Sequence, residues 1–180
     1  MSRAWRRALK WLSVALVALL LLAAAMWLRP AWTPAIHSAA GVASLEAVDL
    51  NGSRQWILIR GEDRDTPLLL FLHGGPGMPA MYLAHAATRE LEKDFVVVHW
   101  DRRDAGKSFD PHMPADKESV SQQLADAEAL IGLLRQRLGA RPALLVGHSW
   151  GSYLGVLLGR VRKLTRATPG SMREERTRES

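Results

Sequence analysis

The sequence predicts an α/β fold with a mostly parallel sheet and helices on both faces. Three observations predict it: a hairpin signal at Asn51-Gly52, three short apolar runs of strand length, and helical segments between those runs. A hairpin followed by strand–helix–strand–helix–strand–helix is the order that builds such a sheet, with right-handed crossovers. A chain of 180 residues is enough for one such domain.

The first ten residues, MSRAWRRALK, form a basic head expected to stay in the cytoplasm. Residues 11–28, WLSVALVALLLLAAAMWL, hold Ser13 as their single polar residue. As a helix they rise about 27 Å, close to the hydrocarbon thickness of a bilayer. Trp5, Trp11, Trp27 and Trp32 flank the run, where indoles favour the membrane interface. The segment reads either as a transmembrane anchor in contact with membrane lipid or as a cleaved signal peptide, with AAAM as the small-residue stretch. Both readings place the remainder outside the cytoplasm, anchored by a single pass or secreted. Residues 29–43 are a linker rich in Pro and Ala.

The predicted domain occupies residues 44–159. ASLEAVDLNGSRQWILIRG reads as two strands around Asn51-Gly52. TPLLLFLHGG, DFVVVHWD and RPALLVG read as strands buried on both faces. MPAMYLAHAATRELEK reads as helical. In SVSQQLADAEALIGLLRQRLG, Val120, Leu124, Ala127, Leu130, Ile131 and Leu134 share a helix face, and Ser119 or Ser121 can cap it. SWGSYLGVLLGR starts a further helix. From residue 160 the chain becomes a basic tail, predicted to be disordered.

Charge narrows the function classes. The net charge is +6, but the bases crowd the two ends: Arg3, Arg6, Arg7, Lys10 and Arg29 in the first thirty residues, with no acid, and seven more after Gly159. The stretch between is mildly acidic, with no basic stripe interleaved with aromatics, so nucleic acid is not an expected partner. The chain has no cysteine, which removes disulfides, thiolate zinc sites and cysteine nucleophiles.

Three motifs stand where α/β sheets collect their chemistry, at the carboxyl ends of strands. GHSWG, Gly147 to Gly151, fits G-x-S-x-G between a strand and a helix. In that context Ser149 is the candidate nucleophile, and the Trp150 N–H is a candidate oxyanion donor. HGGPG, His73 to Gly77, offers a second donor from Gly74 or Gly75, with His73 as a support of the loop. DRRDAGKS, Asp101 to Ser108, ends in Gly-Lys-Ser but carries Asp101 where a phosphate-binding loop needs glycine, so nucleotide binding is excluded. Asp101 and Arg102 are expected to brace the loops by an ion pair.

With these three motifs in order, residues 44–158 resemble the α/β-hydrolase superfamily, and within it the prolyl iminopeptidase group. That group carries HGGPG, D-x-R-G-x-G-x-S and G-x-S-W-G-[GS]; Asp104 stands here where the middle motif has glycine. The resemblance implies the N-terminal half of an α/β-hydrolase fold. It also implies hydrolysis of a small amide or ester through an acyl-enzyme on Ser149, with no metal or organic cofactor.

The order of residues complicates that expectation. In this fold the triad runs Ser, then Asp or Glu, then His. All six histidines precede Ser149, and the acids after it are Glu174, Glu175 and Glu179. The apolar pattern weakens near Gly159. These features predict a chain truncated after its nucleophile and inactive by itself. They also predict an open edge on the strand at 143–147, available for self-association or for a partner.

Overall fold

The computed structural model describes residues 3–27, 31–114, 119–139 and 143–166. The chain divides into two compact units, Met1–Trp32 and Thr33–Ser180. The first contains α1 (Arg3–Trp27). Within it Trp5–Met26, 22 residues of mean hydropathy 2.2 with no buried face, is long and apolar enough to cross a bilayer. Leu28 to Pro30 and the tail from residue 167 lie outside the described residues.

The second unit holds a five-stranded sheet in the order β1-β2-β4-β3-β5. Strands β1 (Val42–Leu50) and β2 (Ser53–Gly61) form the expected hairpin. Its two-residue turn puts Asn51 at φ 52° and Gly52 at φ 75°, the doubly left-handed turn that matches strand twist and selects Asn-Gly. Strand β3 (Leu68–Leu72) is followed by a 3₁₀ turn at Met81–Leu83, the single-turn α2 (Ala84–Ala87), and a second 3₁₀ segment at Arg89–Lys93. Then come β4 (Val96–Asp101), α3 (Val120–Leu138), β5 (Ala143–Gly147) and α4 (Trp150–Arg166).

The sheet is mixed rather than mostly parallel. β4/β3 and β3/β5 pair parallel, while β1/β2 and β2/β4 pair antiparallel. The hairpin forces this: a two-residue turn reverses the chain, and β2 then docks on β4 head to tail.

The helical cover is also uneven. On one face, Ile57, Ile59, Leu68, Leu70, Leu72, Val96, Val98 and Trp100 pack against Ala127, Leu130, Ile131 and Leu134 of α3 and Leu154 and Leu158 of α4. Each of the larger side chains contributes roughly 1.5–3 kcal/mol by leaving water. Among the described residues, the other face carries the short turns, through Leu58, Met81 and Ala84. The expected helix over these turns is broken at Thr88. Its N–H (3.0 Å) and its hydroxyl (2.8 Å) both donate to the Ala84 carbonyl, and the hydroxyl accepts from His99 Nε2 (2.9 Å).

Among the described residues the strand at 143–147 is the sheet edge, and it is not buried on both faces as its apolar run predicts. Leu144 and Val146, beside Leu69 and Phe71 on the face away from α3 and α4, are 48% and 40% exposed. Ser119 is the cap of α3, accepting from the Gln122 N–H at 3.2 Å. Helix α4 continues through Arg166, past the weakening of the apolar pattern at Gly159. Residues 33–34 of the predicted linker are tied to the sheet. The buried Arg60, paired with Glu92 at 2.8 Å, also donates to Thr33 Oγ1 (2.8 Å) and the Pro34 carbonyl (2.6 Å).

Candidate active site

Ser149 sits between β5 and α4 at φ 53°, a left-handed conformation that costs an L-residue about 1–2 kcal/mol. Packing behind it holds that conformation. A Cβ on Gly151 would stand 2.0 Å from the Leu72 carbonyl oxygen, and one on Gly147 would stand 2.6 Å from the Gly151 oxygen. Strand and helix therefore close to a distance only hydrogen permits. Hydrogen bonds from His148 N to Leu72 O (3.0 Å) and from Gly151 N to His148 O (2.9 Å) fasten the turn to β3. Trp150 opens α4 and has no carbonyl four residues back within the helix, so its N–H is left for a ligand or solvent.

The His73–Gly77 loop lies against this elbow: a Cβ on Gly74 would meet Ser149 Cβ at 3.2 Å. Its shape is set by Arg102, which is buried and donates through Nη2 to the carbonyls of His73 (2.7 Å), Gly74 (3.3 Å) and Pro76 (3.2 Å). In a trans peptide the N–H points opposite the C=O. Turning the His73 and Gly74 carbonyls onto the guanidinium therefore turns the Gly74 and Gly75 N–H groups away from it. Gly75 takes φ 72°, which glycine allows without strain.

His73 is neutral here. Burial, then the Arg102 charge, lowers its pKa to about 4. Its Nδ1–H donates to Gly74 O (3.0 Å), and Nε2 accepts from the Arg102 backbone N–H (3.3 Å). Burial also pushes the Arg102 pKa down, to about 10.

Asp101 and Arg102 do not form the expected ion pair. They leave β4 in succession and turn to different partners. Arg102 faces the glycine loop, whereas Asp101 Oδ2 accepts from the Lys107 N–H (2.9 Å) and the Asp101 carbonyl accepts from Ser108 Oγ (2.5 Å). Burial raises the Asp101 pKa against the opposing bond from Lys107.

Three residues were not singled out from sequence. Gln123 Oε1 accepts from Arg102 Nη1 (3.2 Å) and from Trp150 Nε1 (3.0 Å), so one amide oxygen joins the glycine-loop clamp to the elbow. Arg103 forms a bidentate pair with Asp126, Nε to Oδ2 at 2.9 Å and Nη2 to Oδ1 at 3.0 Å. Asp126 also accepts from Asn51, Gln55 and Gln122 at 2.8–2.9 Å. Burial alone would raise the Asp126 pKa; these bonds outweigh it and hold the carboxyl below its ordinary value. The signal lay in α3, where Gln123 and Asp126 interrupt the apolar stripe.

The arrangement defines an α/β protein that presents one side chain from a strand–helix elbow beside a glycine loop with two outward N–H groups. The chain belongs to the alpha/beta hydrolase family, which it matches over residues 69–173, a span that includes much of the basic segment after Gly159. It resembles proline iminopeptidases. It is 34% identical over 115 residues to a probable aminopeptidase of Bacillus subtilis, covering 64% of this chain and 36% of that one. It is 27% identical over 106 residues to the proline iminopeptidase of Lactobacillus helveticus, covering 59% of this chain and 35% of that one. Among solved structures, proline iminopeptidase from Mycobacterium smegmatis superposes with TM-score 0.51 at 28% identity, over 64% of this chain and 38% of the other. Epoxide hydrolase A from Mycobacterium thermoresistibile gives 0.52 at 26%, over 65% and 34%. The chain thus spans little more than a third of each relative's length.

Proposed function

We propose that this chain is the nucleophile-bearing part of a serine hydrolase acting on small amides or esters through an acyl-enzyme. The observation that carries the reading is Ser149, held left-handed between Gly147 and Gly151 and set against the Gly74 loop. Attack by Ser149 Oγ on a carbonyl carbon would place the developing oxyanion between the Trp150 N–H and the N–H of Gly74 or Gly75. Two such donors are worth several kcal/mol of transition-state stabilisation. The proton on Oγ needs a base. His148, the residue before the serine, sets its ring against the glycine loop, 2.8 Å from where a Cβ on Gly74 would stand, and His73 is neutral and engaged with Arg102. Neither histidine beside the elbow and the glycine loop is placed here as that base.

The test is incubation of the purified chain with a fluorophosphonate probe, proline arylamides and aryl esters, beside Ser149→Ala. We expect no Ser149-dependent turnover from these 180 residues alone. Turnover lost in Ser149→Ala would overturn the prediction of inactivity and leave the nucleophile assignment standing.

A second reading, a non-catalytic module that binds a partner through β5, is favoured by one observation: the apolar, uncharged edge with Leu144 and Val146 half exposed. Leu144→Glu with Val146→Glu should reduce concentration-dependent association in light scattering. Unchanged association would remove β5 as the contact.

The anchor reading rests on the 22-residue segment Trp5–Met26 of α1, of mean hydropathy 2.2, which rises about 33 Å as a helix. Alkaline carbonate extraction of membranes tests it: an anchored chain stays in the pellet, and a cleaved or peripheral one is released.

A further inference from the structure

Arg102 and Arg103 leave β4 in succession and grip α3 at two points less than one turn apart. Arg103 takes Asp126, which Asn51 and Gln55 of the hairpin also hold. Arg102 takes Gln123, three residues earlier and so on the same side of the helix. Both are buried polar residues in a stripe that is otherwise apolar. Gln123 is therefore presented from a helix already pinned to the hairpin one turn further on.

An amide oxygen can accept two hydrogen bonds. On Gln123 Oε1 they come from the two halves of the site, Arg102 Nη1 at 3.2 Å and Trp150 Nε1 at 3.0 Å. The same guanidinium donates through Nη2 to the carbonyls of His73, Gly74 and Pro76, so the glycine loop is tied to Gln123 through one planar, rigid group. Trp150 follows Ser149 and is the first residue of α4, so its indole ties the elbow to the same oxygen.

We propose that Gln123 is a positioning residue for the oxyanion site: by holding Arg102 and the Trp150 indole on one atom, it sets the spacing between the glycine-loop N–H groups and the Trp150 N–H. The inference rests on the hydrolase reading for its purpose, but the coupling it describes does not depend on whether Ser149 reacts. A side chain that only filled space could be replaced by leucine, which has similar bulk and no acceptor.

The full chain in detergent micelles, labelled with ¹⁵N, carries the test as a double-mutant cycle. Trp150→Phe removes the indole donor and should displace the Gly74 and Gly75 amide signals. In a Gln123→Leu background the same exchange should lose that displacement, and in Gln123→Glu, which keeps an acceptor, it should return. Ser149→Ala should show the displacement of the parent, which separates this inference from the nucleophile assignment. If Gln123→Leu does not fold, the parent still decides: Trp150→Phe should shift the Arg102 guanidinium signal, the one group between indole and loop. An unmoved guanidinium, equal displacement with and without the Gln123 oxygen, or no recovery in Gln123→Glu would each overturn it.

Discussion

At residue 149 the side chain and the backbone have opposite requirements. Serine supplies the oxygen, and glycine would supply the ease of φ 53°. Ser149→Gly should therefore be more stable than Ser149→Ala by about 1 kcal/mol in urea unfolding, because both lack the hydroxyl and only alanine keeps the left-handed penalty. Equal stabilities would show that the elbow imposes no strain. Asp126 is the opposite case, a residue whose side chain is fully committed. Asp126→Asn leaves the buried Arg103 guanidinium without a counter-charge and should cost about 3 kcal/mol or more. Asp126 also carries a pH signature. Its folded pKa lies below the ordinary 3.8, so its stabilisation is whole above that value and is lost as the pH falls below it.

Among the elements, α4 and α3 use glycine for different ends. Gly151→Ala would drive a methyl into the Leu72 carbonyl and should lift α4 from β3, giving an insoluble or grossly destabilised chain. Gly132, on the exposed side of α3 with nothing within 4 Å of a Cβ, carries no such demand. Gly132→Ala should raise stability by about 0.5–1 kcal/mol, read as a higher denaturation midpoint. A midpoint that fell would mean α3 is constrained on its outer face. The elements that sequence placed well are those whose instructions are local: Asn51-Gly52 fixes the hairpin, Ser119 caps α3, and Gly147 and Gly151 bracket the elbow. The segment 78–93, which reads as helical, forms instead short turns at 81–83, 84–87 and 89–93, tied to a distant strand. Thr88 turns aside to reach His99, eleven residues on and in another strand.

For the molecule as a whole, acid is the informative variable. His73 and His99 are both buried and neutral, their pKa values lowered to about 4 chiefly by burial, from an ordinary 6.5. The unfolded chain binds more protons than the folded one between those limits. Stability should thus be full above pH 6.5 and decline as the pH falls toward 4. Urea midpoints at pH 7 and pH 5 test this, and a midpoint unchanged or higher at pH 5 would refute it. The site shows the same division of legibility as the fold. The juxtaposition of Ser149 with the glycine loop follows from contiguous residues, the two motifs at the ends of neighbouring strands. The Arg103–Asp126 pair and the Gln123 bridge join segments more than twenty residues apart and emerge only when α3 packs on the sheet. The mixed polarity of the sheet was hidden for a similar reason, since no local signal says that β2 will lie beside β4.

The contact between Gly151 and Leu72 has a consequence for anyone altering this elbow. It acts as a depth stop. The helix rests on the strand with no slack, so bulk added behind residue 149 translates α4 outward and carries the Ser149 hydroxyl with it, away from the glycine loop. Docking of the helix and reach of the serine share one coordinate. Exchanging the atom at the tip of residue 149 leaves that coordinate alone, whereas enlarging residue 147 or 151 resets it.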